Sequence, residues 1–414
     1  MMPARSDPLT LYEHETKSEV ALSDTQARAL SALRFKAPEG EDGAEAEGGR
    51  SAVVDVSPGR KSDFYNLRAR NIVGSITVAG LNVRILPKVG PVMAIQMLAY
   101  NAGLARLLED PGIFGQGQSF AEVLVAIFLD STDSILRNGI AEDYVSMSET
   151  LQTVRGRLDF SSLIRRALPA PVDCVYDEFL VDTPVNRLLV QGLNVADDLH
   201  TMGRQHRARV RLLLAAFAEV SPDGSWLRYR GESLPPRISY YKEALTLATM
   251  LIEGAGVELA GASRRAIGLL FDMNRVVEGF ISALIRRTTA PRLSVDTQGR
   301  SHPLYLDRRH LYRLKPDFAV WDSVGCRLVG DIKYKVLDKN TAPPRADLYQ
   351  IVSYAAAARA DRALLVYVGK SLGQNVNVAL PGRGADIKIE VRSIVLDGEI
   401  REMEDRIREV VAFR

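Results

Sequence analysis

The chain has 414 residues, a formal net charge of +2, 46% hydrophobic and 25% charged residues, the length of two or three domains with the composition of a soluble globular protein. A near-neutral balance excludes a globally basic nucleic-acid binder and leaves any basic surface local. Cys174 and Cys326 form no CxxC pair and no disulfide framework, which fits a reducing cytoplasm, and neither a signal peptide at residues 1–7 nor a membrane-spanning apolar run is present.

Residues 9–13 read as a short strand and 24–33 as a helix capped by Ser23 or Asp24. Residues 37–49 are acidic and Gly-rich with almost nothing to bury, the composition of a flexible surface loop. From 51 to 87 the pattern is β, with strands at 52–56, 71–78 and 81–86 and a hairpin turn at Ala79-Gly80. The polar loop at 58–63 carries Arg60, Lys61 and Asp63, which suit a partner contact as well as an ordinary exposed turn.

Residues 91–107 and 119–137 read as helices, the second largely apolar. Arg155 and Arg157 lie in an extended segment, and pairing with acids of the same chain is preferred over a phosphate or subunit contact. Helices at 184–200 and 205–220 meet near Gly203. The run Arg204, His206, Arg207, Arg209 and Arg211 spreads over more than one helical face, which suits a solvated helix start, with DNA contact the minority reading. A Gly/Pro-containing connector at 224–237 leads to a helix at 239–253.

Residues 263–287 read as one long amphipathic helix with Met273, Val277, Phe280 and Leu284 as its stripe and Glu278 on the flank. Arg308, Arg309 and Arg313 follow, close in sequence to the motif described next and hence candidates for DNA contact. His302 and His310 read as surface or structural residues. Strands at 314–320 and 330–335, joined by the turn Asp322-Ser323-Val324-Gly325, lead to a helix around 347–355. Strands at 364–368 and 391–396 and a helix at 399–411 complete a strand, strand, helix, strand order typical of an α/β core.

Side chains two apart on a strand point the same way, so Asp331 and Lys333 share a face while Leu328, Ile332 and Tyr334 suit the core side. Asp317 is available from the preceding strand. Two carboxylates suit Mg²⁺, which prefers oxygen ligands and keeps several waters, and a lysine beside them can orient the attacking water or stabilise developing charge. Asp-x-Lys alone is common; Pro-Asp followed fourteen positions later by Asp-x-Lys, on adjacent strands before a helix, is more specific. Gln350 and Tyr354 lie at i and i+4 on one face of that helix, and Tyr354 also reads as a half-buried core aromatic. Asp347 reads as structural, favoured by the helix dipole. Gly369-Lys370-Ser371 looks like the end of a phosphate-binding loop, but Leu364 stands where its first glycine is required, so this chain is expected to bind no nucleotide.

Pro316-Asp317, Asp331-Ile332-Lys333 and the Gln350-x-x-x-Tyr354 pattern resemble the PD-(D/E)xK nuclease superfamily. Phe271-Asp272-Met273-Asn274 leading to Glu278 resembles the opening helix of the McrC family, the nuclease subunit of McrBC methyl-directed restriction systems. Leu86-Pro87-Lys88, Met97-Leu98-Ala99-Tyr100, Arg155-Gly156-Arg157 and Asp182-Thr183-Pro184-Val185-Asn186-Arg187 match as well, so the resemblance spans residues 70–414. It implies an α/β restriction-endonuclease-like core at 261–414, a mixed sheet flanked by helices, preceded by an α+β N-terminal region. That region divides into a β-rich partner-binding domain at 1–120 and a mainly helical middle part at 121–260. The implied activity is a Mg²⁺-dependent DNA endonuclease that also accepts Mn²⁺, with Asp317, Asp331, Lys333, Glu278, Gln350 and Tyr354 catalytic and Asp317, Asp331 and Glu278 holding the metal. The implied partners are a separate McrB-like AAA+ GTPase hexamer and double-stranded DNA containing modified cytosine. Two rival readings are a stand-alone repair or recombination nuclease and a non-catalytic adaptor of an AAA+ ring; the intact Asp317, Asp331 and Lys333 argue against the adaptor.

Overall fold

The structure, a computed structural model, describes residues 8–36, 50–104, 120–159, 171–199, 203–221, 234–259, 266–335, 342–369, 373–378 and 386–411. The acidic loop at 37–49, residues 224–233 of the connector and residues 370–371 of the Gly-Lys-Ser segment lie outside them.

Apolar residues alternate in Ile72–Val78 and Leu81–Leu86, and the two strands pair antiparallel as expected. Their turn at Ala79-Gly80 has positive φ at both positions, 48° and 74°, the geometry that matches strand twist in a two-residue hairpin. Leu9–Tyr12 adds parallel on one side and Ile267–Asp272 antiparallel on the other. The last strand corrects the expectation of one continuous helix at 263–287: the helix is Met273–Thr288 alone. Gly268 to Phe271 are all buried, and a short continuous apolar run has no periodicity to separate strand from helix. The boundary signal is Asp272, whose carboxylate accepts from the Asn274 amide as the N-cap.

The expected strand at 52–56 is broken at the buried Val53, which hands the chain from Arg50–Ala52 in one small sheet to Val54–Pro58 in another. Helices Phe120–Asn138, Pro184–Asp198, Arg204–Ala216 and Lys242–Gly254 pack together in the middle of the chain. Beside them lies an antiparallel pair absent from the sequence reading, Asp143–Leu151 and Val172–Leu180, with Arg157–Leu158 on its edge. Asp143–Leu151 is largely exposed, whereas Val172–Leu180 is half-buried, with Cys174 and Tyr176 buried and acids interrupting its apolar residues, so neither shows a clean apolar alternation. Arg155 pairs with Glu178 at 3.1 Å and lies over the Tyr176 ring, and Arg209 pairs with Asp130 at 2.7 Å and with Asp133, all within the chain.

Near the C-terminus a six-stranded mixed sheet runs in the order Ser294–Asp296, Phe318–Trp321, Cys326–Lys333, Arg362–Val368, Ile387–Ile394, Gly373–Val378. Cys326–Lys333 is antiparallel to Phe318–Trp321 and parallel to Arg362–Val368, the crossover between the parallel pair being the helix Arg345–Ala358. Its two faces bury different cores. Phe318, Val320, Leu328, Ile332 and Tyr334 join the large core that includes Val277, Phe280, Met403 and Ile407 and runs on into the N-terminal sheets. Ala319, Val329, Leu365 and Tyr367 pack with Ile351, Tyr354 and Ala355 of the crossover helix. No helix among the described residues is long and apolar enough to cross a membrane.

Candidate active site

Asp317 immediately precedes Phe318, which pairs with Gly330, so it stands across the hairpin from Asp331. Gly330 is required there because the Phe318 ring lies over it; a Cβ at 330 would meet that ring at 1.9 Å. The Asp317 carboxylate is fixed by the Ile332 amide, which donates to Oδ2 at 2.6 Å, and by Gln298 Nε2 at 3.3 Å from Oδ1. Asp331, 2% exposed, shares its strand face with Lys333, whose ammonium is 2.7 Å from Asp331 Oδ2. Oδ2 is buried, and the Lys333 ammonium beside it is the cation that offsets its charge. From Lys333 the chain of contacts continues into the crossover helix: Nζ donates to Gln350 Oε1 at 2.8 Å, and Gln350 Nε2 donates to the Tyr354 hydroxyl at 2.8 Å. The i, i+4 spacing of Gln350 and Tyr354 makes this relay possible.

Glu278 reaches the same site from the helix Met273–Thr288. Burial pushes its carboxyl up to about 9, and the negative charges of Asp317, Asp272 and Asp331 add to the shift. Asp317 is pushed up to about 7, mainly by burial and then by Asp331, against the pull of the Ile332 amide. Asp331 is raised by burial, opposed by Lys333. Lys333 is raised: burial works against its charge, and the surrounding carboxylates outweigh burial. The site thus concentrates mutually repelling acids in a place where water cannot screen them.

Among the described residues no three His, Cys, Asp or Glu side chains are gathered closely enough to hold an ion unaided. The donors still fit Mg²⁺, which is commonly held by one or two carboxylates with waters and substrate phosphates supplying the rest. All the candidates are oxygens, and the acids are destabilised by burial and by one another in the way a divalent cation relieves.

Two clefts open onto the site. One, of about 330 Å³, is lined by Asp317, Glu278, Gln298, Arg275, Arg286 and Arg300 among others. The second, of about 600 Å³, is lined by Glu278, Lys333, Lys335 and Asp347 together with His14, Lys88 and Asn274. Glu278 borders both. Asp347 accepts from the Tyr367 hydroxyl at 2.6 Å and pairs with Lys335 at 2.7 Å.

Asp317, Asp331, Lys333, Gln350 and Tyr354 lie together, and Glu278 borders both clefts beside them. Arg308, Arg309 and Arg313 are not among the residues that line the clefts; they sit on the exposed hairpin that joins Leu304–Tyr305 to Arg313–Leu314, where Arg313 Nη2 donates to the Gly299 carbonyl at 2.9 Å. Arg60, Lys61 and Asp63 form an exposed turn between Val54–Pro58 and Phe64–Ala69, tied down by Arg60 N donating to Glu19 and Leu22 N donating to the Asp63 carbonyl. Sequence reasoning missed Gln298, the role of Lys88 in the second cleft, and Glu13 behind it, which accepts from the Tyr334 hydroxyl at 2.9 Å. The available signals were the Leu-Pro-Lys piece for Lys88 and, for Gln298, the turn-like Asp296-Thr297-Gln298-Gly299, in which Gln298 has φ 58°.

Residues 67–368 match the family described as McrBC 5-methylcytosine restriction system component. No curated protein matches the chain. A solved chain from an assembly of Thermococcus gammatolerans McrB AAA+ hexamers with bound McrC is similar at 21% identity and a TM-score of 0.60, covering 98% of this chain and 99% of that one. A chain of the Thermococcus gammatolerans McrBC complex aligns at 22% identity and a TM-score of 0.44, covering 68% and 88%. With the family matched over most of its length, the chain belongs to the McrBC 5-methylcytosine restriction system component family.

Proposed function

We propose that this chain is the nuclease subunit of a McrBC-type restriction system, a Mg²⁺-dependent DNA endonuclease that works with a separate McrB-like AAA+ GTPase ring. The observation that carries the reading is the junction of Asp317, Asp331 and Lys333 on paired strands, extended by the Lys333–Gln350–Tyr354 relay. Family membership and the fold shared with a chain of the McrB–McrC assembly support the ring partner. In this reading residues 261–414 carry the nuclease in a restriction-endonuclease-like sheet, and the β-rich part before residue 120 meets the ring through the turn at Arg60, Lys61 and Asp63.

Asp317 and Asp331 would hold Mg²⁺ with Glu278 as the third acid; when bound, the ion supplies charge neutralisation at the phosphate and a water of lowered pKa. Lys333 keeps its proton because acids surround it, so it presents a cation to the phosphate oxygens. Gln350 holds that ammonium in place, and Tyr354 holds Gln350. Crowded acids repel a phosphate diester unless a cation intervenes, which ties cleavage to the metal.

The test is cleavage of DNA bearing modified cytosine by the full chain with its AAA+ partner, GTP and Mg²⁺. Asp331→Ala and Lys333→Ala should each lose about 10²-fold or more of the rate while keeping the wild-type melting temperature and partner binding. Wild-type rates in either variant would remove the assignment. Mn²⁺ should substitute, whereas EDTA or Ca²⁺, with its looser coordination, should abolish cutting.

A further inference from the structure

We propose that Lys88, from the N-terminal part of the chain, is a DNA-binding residue of the nuclease cleft, holding a backbone phosphate next to the one that is cut. The inference rests on the nuclease reading above and names a contact that reading does not require.

Lys88 follows the strand Leu81–Leu86 and reaches the nuclease sheet across a sequence separation of 246 residues, where Nζ donates to the Tyr334 carbonyl at 3.0 Å. The same ammonium lies 3.7 Å from the centroid of the Tyr334 ring. Tyr334 is the residue after Lys333, so this contact fixes Lys88 beside the proposed catalytic strand end. Tyr334 is itself anchored: its hydroxyl donates to Glu13 Oε2 at 2.9 Å, and the Lys88 amide donates to the same oxygen at 3.1 Å. Glu13 is 2% exposed, so the N-terminal residues form a built wall rather than a loose surface.

The charge arrangement points to an anion. Of the three lysines lining the cleft, Lys333 is paired with Asp331 and Lys335 with Asp347. Among the described residues Lys88 has no carboxylate within ion-pair distance; burial holds its ammonium below the usual lysine range, and Glu13 opposes that only from farther away. A cation held by a carbonyl and a ring retains donors for a ligand. The cleft, about 600 Å³, has room for a segment of sugar–phosphate backbone. Its border with Lys333 and Glu278 places that segment along the strand entering the cutting site. His14 and the Asn274 amide add further donor capacity on the walls.

The plain alternative is that Lys88 only packs on Tyr334 and joins the two halves of the molecule. Salt dependence separates the two, because each phosphate neutralised contributes about −0.9 to the slope of log K against log salt. The experiment measures binding of a fluorescent unmodified DNA duplex to the full chain by anisotropy, without divalent metal, over a salt series. Lys88→Gln should weaken binding and lower the magnitude of the slope by about one unit, and Lys88→Arg should restore it, with melting temperatures recorded for both. An unchanged slope in Lys88→Gln overturns the proposal, whether or not affinity falls. As a check that needs no variant, amine acetylation of the wild-type chain should be slowed at Lys88 by the duplex; equal labelling with and without DNA also overturns it. If Lys88→Gln binds like wild type while Asp331→Ala fails to cut, the nuclease reading stands and only this contact is lost. If Asp331→Ala still cuts, the nuclease reading itself falls.

Discussion

Glu278 and Asp317 set the proton balance of the site, and the sign of their effect on stability is fixed by the direction of their shifts. The folded chain holds the Glu278 proton up to about 9, whereas the ordinary value is 4.5. Below that ordinary value both states are protonated and the group contributes nothing. As pH rises toward the folded value the unfolded chain ionises freely while the folded one does not, so stability falls across that window. Without divalent metal, Glu278→Gln should therefore melt higher than wild type at pH 9 and close to it at pH 5. Mg²⁺ should raise the wild-type melting temperature more at pH 9 than at pH 5. Parallel melting curves across pH would show that Glu278 is not held protonated by burial among the other acids. The relay gives a graded expectation. Tyr354→Phe keeps the ring in the core and removes one neutral hydrogen-bond acceptor, about 1 kcal/mol, so cleavage should fall within about tenfold. Gln350→Ala releases the ammonium of Lys333 directly and should cost more. Equal rates for the two variants would disconnect the relay from the chemistry.

At the scale of elements, what was legible had local causes. The hairpin Ile72–Leu86 announces itself by alternation around Ala79-Gly80, and the site hairpin by Asp322, whose carboxylate accepts from the Val324 and Gly325 amides. The i, i+4 spacing puts Gln350 and Tyr354 on one helical face, and their expected place beside Lys333 comes from the resemblance to the PD-(D/E)xK superfamily. Illegible were elements whose partners lie far away. Ile267–Asp272 is a strand because Ile72–Val78 waits for it nearly two hundred residues earlier, and nothing within its own six residues says so. Asp143–Leu151 is mostly exposed and polar, and in Val172–Leu180 the acids Asp173, Asp177 and Glu178 interrupt the apolar residues, so neither strand alternates cleanly on its own. Lys88 was legible only as part of the Leu86-Pro87-Lys88 piece, because its place at the site depends on Tyr334. Close packing across the site hairpin gives a sharp prediction. Gly330→Ala drives a methyl into the Phe318 ring, an overpacking cost of about 1–3 kcal/mol, and should tilt Asp317 and Asp331 apart. Chemical denaturation should show the loss, and Gly330→Ala combined with Phe318→Leu should recover part of it. A wild-type midpoint for Gly330→Ala would mean the ring is not packed on that strand.

At the scale of the molecule, one continuous core reaches from Leu11 to Val411. The strand Ile267–Asp272 completes the N-terminal sheet, and the helix that follows packs on Pro91–Ala102, where Asn101 Nδ2 donates to the Val276 carbonyl at 2.9 Å. Partner binding and cleavage can then be separated only by a cut that respects this sheet. A fragment ending at 260 leaves Ile72–Val78 with an open edge, the kind of unpaired strand that aggregates. A fragment ending at 288 keeps both the strand and the helix. The shorter fragment should therefore melt without a cooperative transition, and the longer one should melt cooperatively. The longer fragment should stimulate GTP hydrolysis by the AAA+ partner while cutting no DNA, because Asp317, Asp331 and Lys333 are gone. Replacing Arg60 and Lys61 with Ala in the full chain should lower that stimulation without moving the melting temperature, since both side chains are exposed on a turn held by backbone contacts. GTP turnover of the partner alone, with each fragment and with the loop variant decides the matter. Stimulation by residues 289–414 instead would place the ring contact on the nuclease side, and cooperative melting of the 260-residue fragment would show that the N-terminal sheet is complete without its last strand.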